Sequence, residues 1–463
     1  MQYSIVNLSE VVENDRLSAE FWNPKYLKYL NYNKQFVLIK DILKKCQYGL
    51  SRDMNEYNIG TPIYRMNEFD EIFLDKANKN AKISDKEFKE FKLNVNDVLF
   101  NRTNSFAFVG RTGILKQETD SIFASYLIRL VPDVNKVLPE YLTIYLNTNI
   151  GIQQVKRRAM ESINQTNVSG SEIKKVPIFI LNMNFQLIIA DLVNTSYALR
   201  QSADTLYKEA EEILLEELGL KNYQPQNKKC FVKMLSDTQE AGRIDAEYFQ
   251  PKYEDVIDKI KKYKGGHALL ENFIENYSTG YPYKSEKYQN SGVPVIRIAN
   301  IEKNKLELEN NPAFISEEYS NISKKDIAKA GNILISMSGT IGNVAEIPEN
   351  IKKCCINQRV LSFESKNINN KYLVLFLSSF FGYIQFERIG VGGLQINLSY
   401  NDIKNLIIPL LPQSIQSQIS AKIQQSFESR EKSKQLLEVA KRAVEIAIEE
   451  NEEAGLKYIE ENK

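Results

Sequence analysis

The sequence predicts an α+β chain made of two tandem copies of one mixed α/β domain, each copy followed by a long helix. Three observations predict it: a segment that returns half a chain later, short apolar runs bounded by turn residues in both halves, and a heptad stripe closing each half.

The repeat comes first because it sets the architecture. Arg16-Leu17-Ser18-Ala19-Glu20-Phe21-Trp22-Asn23-Pro24-Lys25-Tyr26 recurs as Arg243-Ile244-Asp245-Ala246-Glu247-Tyr248-Phe249-Gln250-Pro251-Lys252-Tyr253, an offset of 227 in a chain of 463 residues. The register persists: Gly60-Thr61-Pro62-Ile63-Tyr64-Arg65 pairs with Gly292-Val293-Pro294-Val295-Ile296-Arg297, and Gln165-Thr166-Asn167-Val168-Ser169 with Gln395-Ile396-Asn397-Leu398-Ser399. Near-constant offsets imply two copies that differ by small loop changes. The copies diverge most between these anchors, as two copies serving two ligands would.

Each copy opens on the Arg-containing segment, and its Pro-Lys-Tyr leads into a short helix, around Pro24 to Leu30 and Pro251 to Tyr263. Apolar runs bounded by Gly, Asn and Pro follow and predict strands. Examples are Asp97–Phe100 and Phe108–Gly110 in the first copy, and Asn332–Ile335 and Ile341–Val344 in the second. Tyr141–Leu146 and Tyr372–Leu377 fit a strand by composition and equally a helix ending at Gly151 or Gly382.

After Pro177, residues Phe185, Ile189, Leu192, Ser196, Leu199, Ala203, Leu206, Ala210 and Ile213 alternate spacings of four and three, the seam of a coiled coil. Their span predicts a rod of roughly 40 Å at 1.5 Å per residue. After Pro412 the seam returns through Ile415, Ile419, Ile423, Ser426, Arg430, Ser433, Leu437, Ala440, Val444 and Ala447. Ser426 and Ser433 permit close backbone approach. Neither helix buries its stripe alone, so each packs on the other or onto its own domain. The polar run Lys221–Lys229, with Pro225, marks a linker. The expected segments are thus 1–180 and 243–410 for the two domains, 181–220 and 411–463 for the helices and C-terminal tail, and 221–242 for the linker.

Composition excludes several classes of function. The chain carries 60 Lys and Arg against 59 Asp and Glu, a net charge of +1, so a free-standing neutraliser of phosphates is not expected. Cys46, Cys230, Cys354 and Cys355 have no CxxC spacing and His267 is the single histidine, which supports neither a zinc site nor a disulfide framework. The N-terminus lacks the basic and apolar regions of a signal peptide, and no apolar run suggests a membrane span, so a cytoplasmic location is expected. No GxxxxGK[ST] phosphate loop is present. Asn23-Pro24-Lys25-Tyr26 has the outline of an adenine-methyltransferase Asn-Pro-Pro-Tyr. Its second copy reads Gln250-Pro251-Lys252-Tyr253 and no glycine-rich cofactor loop precedes either, so a helix start with proline in its first turn is the better reading.

The order of Arg243-Ile244-Asp245-Ala246-Glu247-Tyr248-Phe249, then Leu334–Gly342, then Gly393–Ser399, then Ile407–Gln413 and a long helix resembles the DNA-specificity (S) subunit of Type I restriction-modification systems. The resemblance covers both halves. In the first, Asn101-Arg102-Thr103-Asn104 stands where the second has Ser336-Met337-Ser338-Gly339, and Asn182–Gln186 replaces the Pro412-Gln413 entry. The resemblance implies two target-recognition domains, each reading one half of a bipartite double-stranded DNA target, and two helices pairing as an antiparallel coiled coil that spaces them. It implies as partners two methyltransferase subunits, which would bind S-adenosylmethionine and methylate adenine N6, and, in a restricting complex, motor-nuclease subunits. No cofactor, metal or catalytic residue is expected in this chain.

Reading bases takes Arg, Lys, Asn, Gln, Ser and Thr at groove depth. The candidates follow the predicted strands: Tyr48, Ser51, Arg52, Arg102, Thr103 and Asn104 in the first copy, and Tyr281, Tyr283, Lys284, Ser285, Ser336, Ser338 and Thr340 in the second. Gln165 with Asn167 and Gln395 with Asn397 are amide pairs suited to base edges or to capping. Arg65 and Arg297 occupy equivalent positions and suit phosphate contact or the fold, and Arg157, Arg158 and Arg388 are phosphate candidates. The competing reading is a non-catalytic two-domain protein-interaction scaffold with a coiled-coil core.

Overall fold

A computed structural model describes residues 4–14, 16–30, 36–163, 165–225, 230–308, 311–390 and 397–463. The chain divides into two units, Met1–Ser202 with Glu428–Lys463, and Ala203–Phe427. The division crosses both long helices, Met183–Glu217 and Gln413–Glu449.

In the first unit, among the described residues, a six-stranded sheet runs in the order Leu43–Tyr48, Leu127–Pro132, Val98–Asn101, Thr112–Ile114, Phe73–Leu74, Phe69–Asp70. Its first four strands pair antiparallel, with Leu130 opposite both Val98 and Cys46. A second sheet pairs Thr61–Tyr64 with Ile122–Phe123 in parallel. The second unit repeats this plan. Ile274–Ser278, Val360–Ser365, Ile333–Ser336 and Val344–Glu346 form the antiparallel sheet, and Val293–Ile296 lies parallel to Cys354–Ile356.

The Tyr-Leu segments are helices, Pro139–Asn147 and Asn370–Ser378, each capped onto a second helix by Thr148 or Ser379. They are buried on nearly every side, which explains why no amphipathic period marked them. Their tyrosines report the repeat at atomic scale. The Tyr141 hydroxyl donates to the Phe179 carbonyl at 2.6 Å, and Tyr372 to that of Pro409 at 2.6 Å. Burial holds both phenols well above the usual tyrosine range.

Two predicted strands are corrected. Phe108–Gly110 and Ile341–Asn343 are turns, and the strands begin after them, at Thr112 and Val344. Gly110 and Gly342 take φ of +91° and +71°, which L-residues rarely adopt. A Cβ there would meet Val155 Cγ1 at 2.7 Å or the Phe386 ring at 2.8 Å, so close packing demands glycine at both sites. The expected linker 221–242 also holds a helix, Leu235–Ala241, whose counterpart at the start of the chain is Leu8–Asn14. The repeat therefore begins before its Arg16 and Arg243 anchors.

Within the first unit, the first long helix packs against the second through Ile189, Leu192, Val193, Leu437, Ala440 and Val444, all buried, and this stripe joins the domain core at Tyr141 and Phe179. Ser196 and Ser433 exchange bonds: Ser433 Oγ donates to the Ser196 carbonyl at 2.9 Å, and Ser196 Oγ to that of Ser433 at 3.0 Å. A side chain this short reaches the other backbone only when the helices approach closely. Within the second unit the same helices meet through Ser426 Oγ and the Ala203 carbonyl at 2.7 Å, and through Lys422 and Glu209 at 2.6 Å. Rising numbers on one helix meet falling numbers on the other, so the pairing is antiparallel. No helix among the described residues is long and apolar enough to cross a membrane.

Candidate nucleic-acid interface

In the second unit the parallel strands Val293–Ile296 and Cys354–Ile356 end side by side, and the residues that follow them, Arg297 and Asn357, open into a cleft of about 400 Å³. Ile298, Ala299, Ser338, Gln358, Arg359 and Asn397 complete its lining. The turn Asn357–Arg359 is fixed by backbone bonds on three sides. Asn357 N donates to the Ile296 carbonyl at 2.9 Å, Gln358 N to Tyr281 at 3.0 Å, and Met337 N to the Arg359 carbonyl at 2.9 Å. Arg359 itself sits at φ +70° with its side chain exposed. Ser338 Oγ donates to Asn397 Oδ1 at 2.7 Å and closes the opposite wall.

The first unit repeats the scaffold with different side chains. Ala124 N donates to the Tyr64 carbonyl at 2.9 Å, Ser125 N to Leu50 at 2.9 Å, and Arg102 N to the Tyr126 carbonyl at 3.0 Å. Ser125 and Tyr126 thus stand where the second copy has Gln358 and Arg359. Thr103 Oγ1 donates to Asn167 Oδ1 at 2.6 Å, matching Ser338 and Asn397. Arg102 lies over the Tyr48 ring at 5.1 Å, while the Tyr48 hydroxyl accepts from Gly170 N. The structure therefore gathers Tyr48, Arg102, Thr103, Asn104 and Asn167 around one turn. Gln165 is on the exposed strand beside them, paired with Ser162.

The electrostatics differ between the copies. Arg65 binds Glu68 through Nη2 at 2.5 Å and Nε at 3.1 Å, and that carboxylate is fully buried. The position three residues after Arg297 is Asn300, which accepts from the Arg297 backbone N at 3.0 Å but brings no charge. The Arg297 guanidinium instead donates from Nη2 to the Asn311 carbonyl and Oδ1, at 2.5 and 2.8 Å, beside the Tyr288 ring. Arg65 is thus neutralised by Glu68, whereas the equivalent position beside Arg297 carries the uncharged Asn300.

Other candidates lie elsewhere. Ser51 and Arg52 are exposed, with Arg52 paired to Glu87. Tyr281 bridges to Asn357, whereas Tyr283 is buried behind it, with the two rings 5.1 Å apart. Lys284 and Ser285 are exposed and outside the cleft lining. Ser336 is fully buried and donates to the Thr340 carbonyl at 2.5 Å, so this pair serves the turn at Gly339 and Gly342. Gln395 lies outside the described residues.

The three arginines expected to meet phosphate are engaged inside the protein. Arg157 and Arg158 are 6% and 4% exposed. Arg157 Nε donates to the Phe21 carbonyl at 3.0 Å with its guanidinium 4.0 Å from that ring, and burial, aided by Arg158, pushes its pKa down to about 10. Arg158 pairs with Glu172 at 3.4 Å, and Arg388 lies 4.6 Å from the Tyr248 ring and 3.8 Å from Glu254. Phe21 and Tyr248 are equivalent residues of the opening motif. That motif thus docks onto the helix that ends at Arg157 or Ile389, and the arginines hold it there.

Sequence reasoning missed the turn itself: Ser125 and Tyr126, and Asn357, Gln358 and Arg359. A signal was present, since the repeat aligns Ala-Ser-Tyr against Asn-Gln-Arg between two apolar strands.

A further duplicated feature faces solvent. Ile5, Leu8 and Leu17 are 89%, 77% and 88% exposed, and their counterparts Val232, Leu235 and Ile244 are 91%, 72% and 88% exposed. Large aliphatic side chains are thus left in water at the same three positions of both copies.

Residues 270–442 match the family model of the Type I restriction modification DNA specificity domain. The chain is 24% identical over 425 residues to a Methanocaldococcus jannaschii protein named as a candidate type I restriction enzyme MjaX specificity subunit, covering 88% of this chain and 90% of that one. It is 27% identical over 209 residues to the type I restriction enzyme EcoAI specificity subunit of Escherichia coli, covering 43% of this chain and 35% of that protein. Among solved structures, the Type-I restriction-modification system S subunit from M. genitalium aligns with a TM-score of 0.43 and 14% identity, over 90% of this chain and 96% of that one.

Proposed function

We propose that this chain, whose residues 270–442 match the Type I restriction modification DNA specificity domain, serves as a specificity subunit of a type I restriction-modification system, and that each repeat reads one half of a bipartite duplex target. The observation that carries this reading is the pair of equivalent turns. Identical backbone bonds hold Ser125-Tyr126 in one copy and Gln358-Arg359 in the other, which is what two readers of different sequences require. Binding one ligand twice would not need the divergence.

The remaining roles belong to partners. A net charge of +1 leaves most phosphate neutralisation to other subunits, and two methyltransferase subunits closing on the DNA would supply it. The duplicated apolar segments at Leu8 and Leu235 support two copies of one partner. In this reading the partner binds S-adenosylmethionine and methylates adenine N6, motor-nuclease subunits add restriction, and this chain contributes recognition without a catalytic group. The long helices, of 35 and 37 residues or about 50 Å each, set the gap between half-sites.

Exchange of residues 244–410 for the equivalent domain of a relative tests the reading, with modified bases mapped genome-wide. One half-site changes and the other persists; a change in both ends the modular proposal. Deleting seven residues from each long helix shortens the unread gap, and an unchanged gap removes the spacer role. A complex with no DNA preference would leave the protein-interaction scaffold as the better reading.

A further inference from the structure

We infer that Arg359 is a base-reading residue and that it takes guanine, through the O6 and N7 acceptors of a G·C pair in the major groove. The inference rests on the DNA-reading proposal above and adds to it a residue, a base and a position in one half-site.

Four observations converge on this turn. Its backbone is held by bonds from three separate strands or loops, to Ile296, Tyr281 and Met337, so the side chains it carries are aimed before any ligand arrives. Arg359 and Gln358 are exposed and line the cleft, whereas the neighbours on either side, Ile356 and Val360, are fully buried. The turn therefore presents its polar pair outward and has no other packing task for it. Arg359 adopts φ +70°, where glycine or asparagine would sit without strain, so the local backbone gives no reason for arginine. Finally, the equivalent position of the first copy is Tyr126, whose carbonyl accepts the same bond from Arg102 that the Arg359 carbonyl accepts from Met337. The scaffold is kept and the chemistry of the side chain is changed.

Arginine rather than a generic cation at this point selects the ligand. A planar guanidinium donates two parallel N–H bonds, and among base edges the guanine major-groove edge offers two acceptors in that spacing. A phosphate would also accept such a fork. The cleft argues for a base edge because its other walls, Ser338, Asn397, Asn357 and Gln358, are polar and uncharged, and its second arginine, Arg297, is held back by Asn311.

The test uses the complete complex with its partner subunits, carrying wild-type chain, Arg359→Gly or Arg359→Lys. Glycine fits φ +70°, so R359G removes the side chain while easing the turn, and a thermal melt verifies that the complex remains folded. Once the target is mapped, competition binding on duplexes bearing each base pair at each target position reads discrimination. Wild type is expected to prefer G·C by at least about fivefold at one position of the half-site that changes on exchange of residues 244–410. R359G loses that preference alone, and R359K, which keeps charge without the fork, loses most of it. Three outcomes overturn the inference: unchanged discrimination in R359G, a uniform fall in affinity at every position as a phosphate contact would give, or a lost preference at a base other than guanine. A wild-type complex with no preferred sequence sinks the DNA-reading proposal itself, whereas a split target indifferent to R359G sinks this assignment alone.

Discussion

The Ser338 hydroxyl donates to Asn397 Oδ1 at 2.7 Å across an isolated antiparallel bridge, tying the loop after a central strand to the segment that precedes the last helical turn of the domain. Thr103 and Asn167 make the same bond at 2.6 Å in the other copy, where the bridge has grown into a three-stranded ribbon. One hydroxyl and one amide, 64 residues apart in the first copy and 59 in the second, thus make the same tie beside the equivalent turns.

The first prediction concerns that bond. Thr103→Val preserves shape at a site 5% exposed and leaves Asn167 Oδ1 short of a donor, so stability falls by about 1 kcal/mol. Thermal unfolding measures it. A melting temperature equal to wild type would mean that water replaces the hydroxyl without loss.

The helix pair depends on small residues where the serines cross. Ser433→Leu replaces the hydroxyl with a bulky isobutyl branch against the Ser196 backbone and costs about 1–3 kcal/mol, while Ser433→Ala, losing the bond to the Ser196 carbonyl, costs about 1 kcal/mol. Denaturant titration ranks the two variants; leucine equal to or more stable than alanine would contradict the close approach.

Acid should loosen the docked N-terminal motif. Burial pushes the Glu172 carboxyl up, but the hydrogen bond and charge of Arg16, with Arg158 and Lys175, bring it below its ordinary value of 4.5. A depressed carboxylate stabilises the fold at pH above its unfolded pKa, and that contribution disappears as pH falls through the folded value. Wild type therefore loses stability below about pH 4.5, whereas Glu172→Gln is less stable at neutral pH and shows a flatter acid limb. Parallel pH profiles for the two would exclude this carboxylate as a contributor.

Thiol labelling sorts the cysteines by burial. Cys230 is exposed and reacts at once. Cys354 and Cys355 are buried, with burial pushing the Cys354 thiol up to about 12 and Cys355 upward as well, so they label only on unfolding. Two fast labels in the native chain at those positions would contradict the packing of that strand.

The exposed aliphatic residues predict the stoichiometry of the complex. Leu8→Glu and Leu235→Glu alter side chains 77% and 72% exposed, so each leaves the melting temperature within about 2 °C of wild type. Each single variant loses one of two partner copies and the double variant loses both, as native mass spectrometry reads. Full occupancy in the double variant would move the docking surface elsewhere.

Much of this protein was legible before folding was considered. The repeat follows from recurring residues, and the long helices follow from stripes of period 3.5, because both signals are local in the chain. The serines in the second stripe likewise announced close helices. What local pattern could not say was where the arginines point. Arg157, Arg158 and Arg388 look like surface cations until Phe21 and Tyr248, more than a hundred residues away, cover them. Arg359 carries no signal in the local pattern, and only the parallel pairing of Ile296 with Ile356 brings its turn beside Arg297. Periodicity records which face of an element is apolar; only the tertiary structure decides which distant element arrives at that face, since strand pairing is a long-range choice. In this chain that choice buries Arg157 and Arg158, ties the half-buried Arg388 to Tyr248 and Glu254, and exposes Arg359, which sequence overlooked.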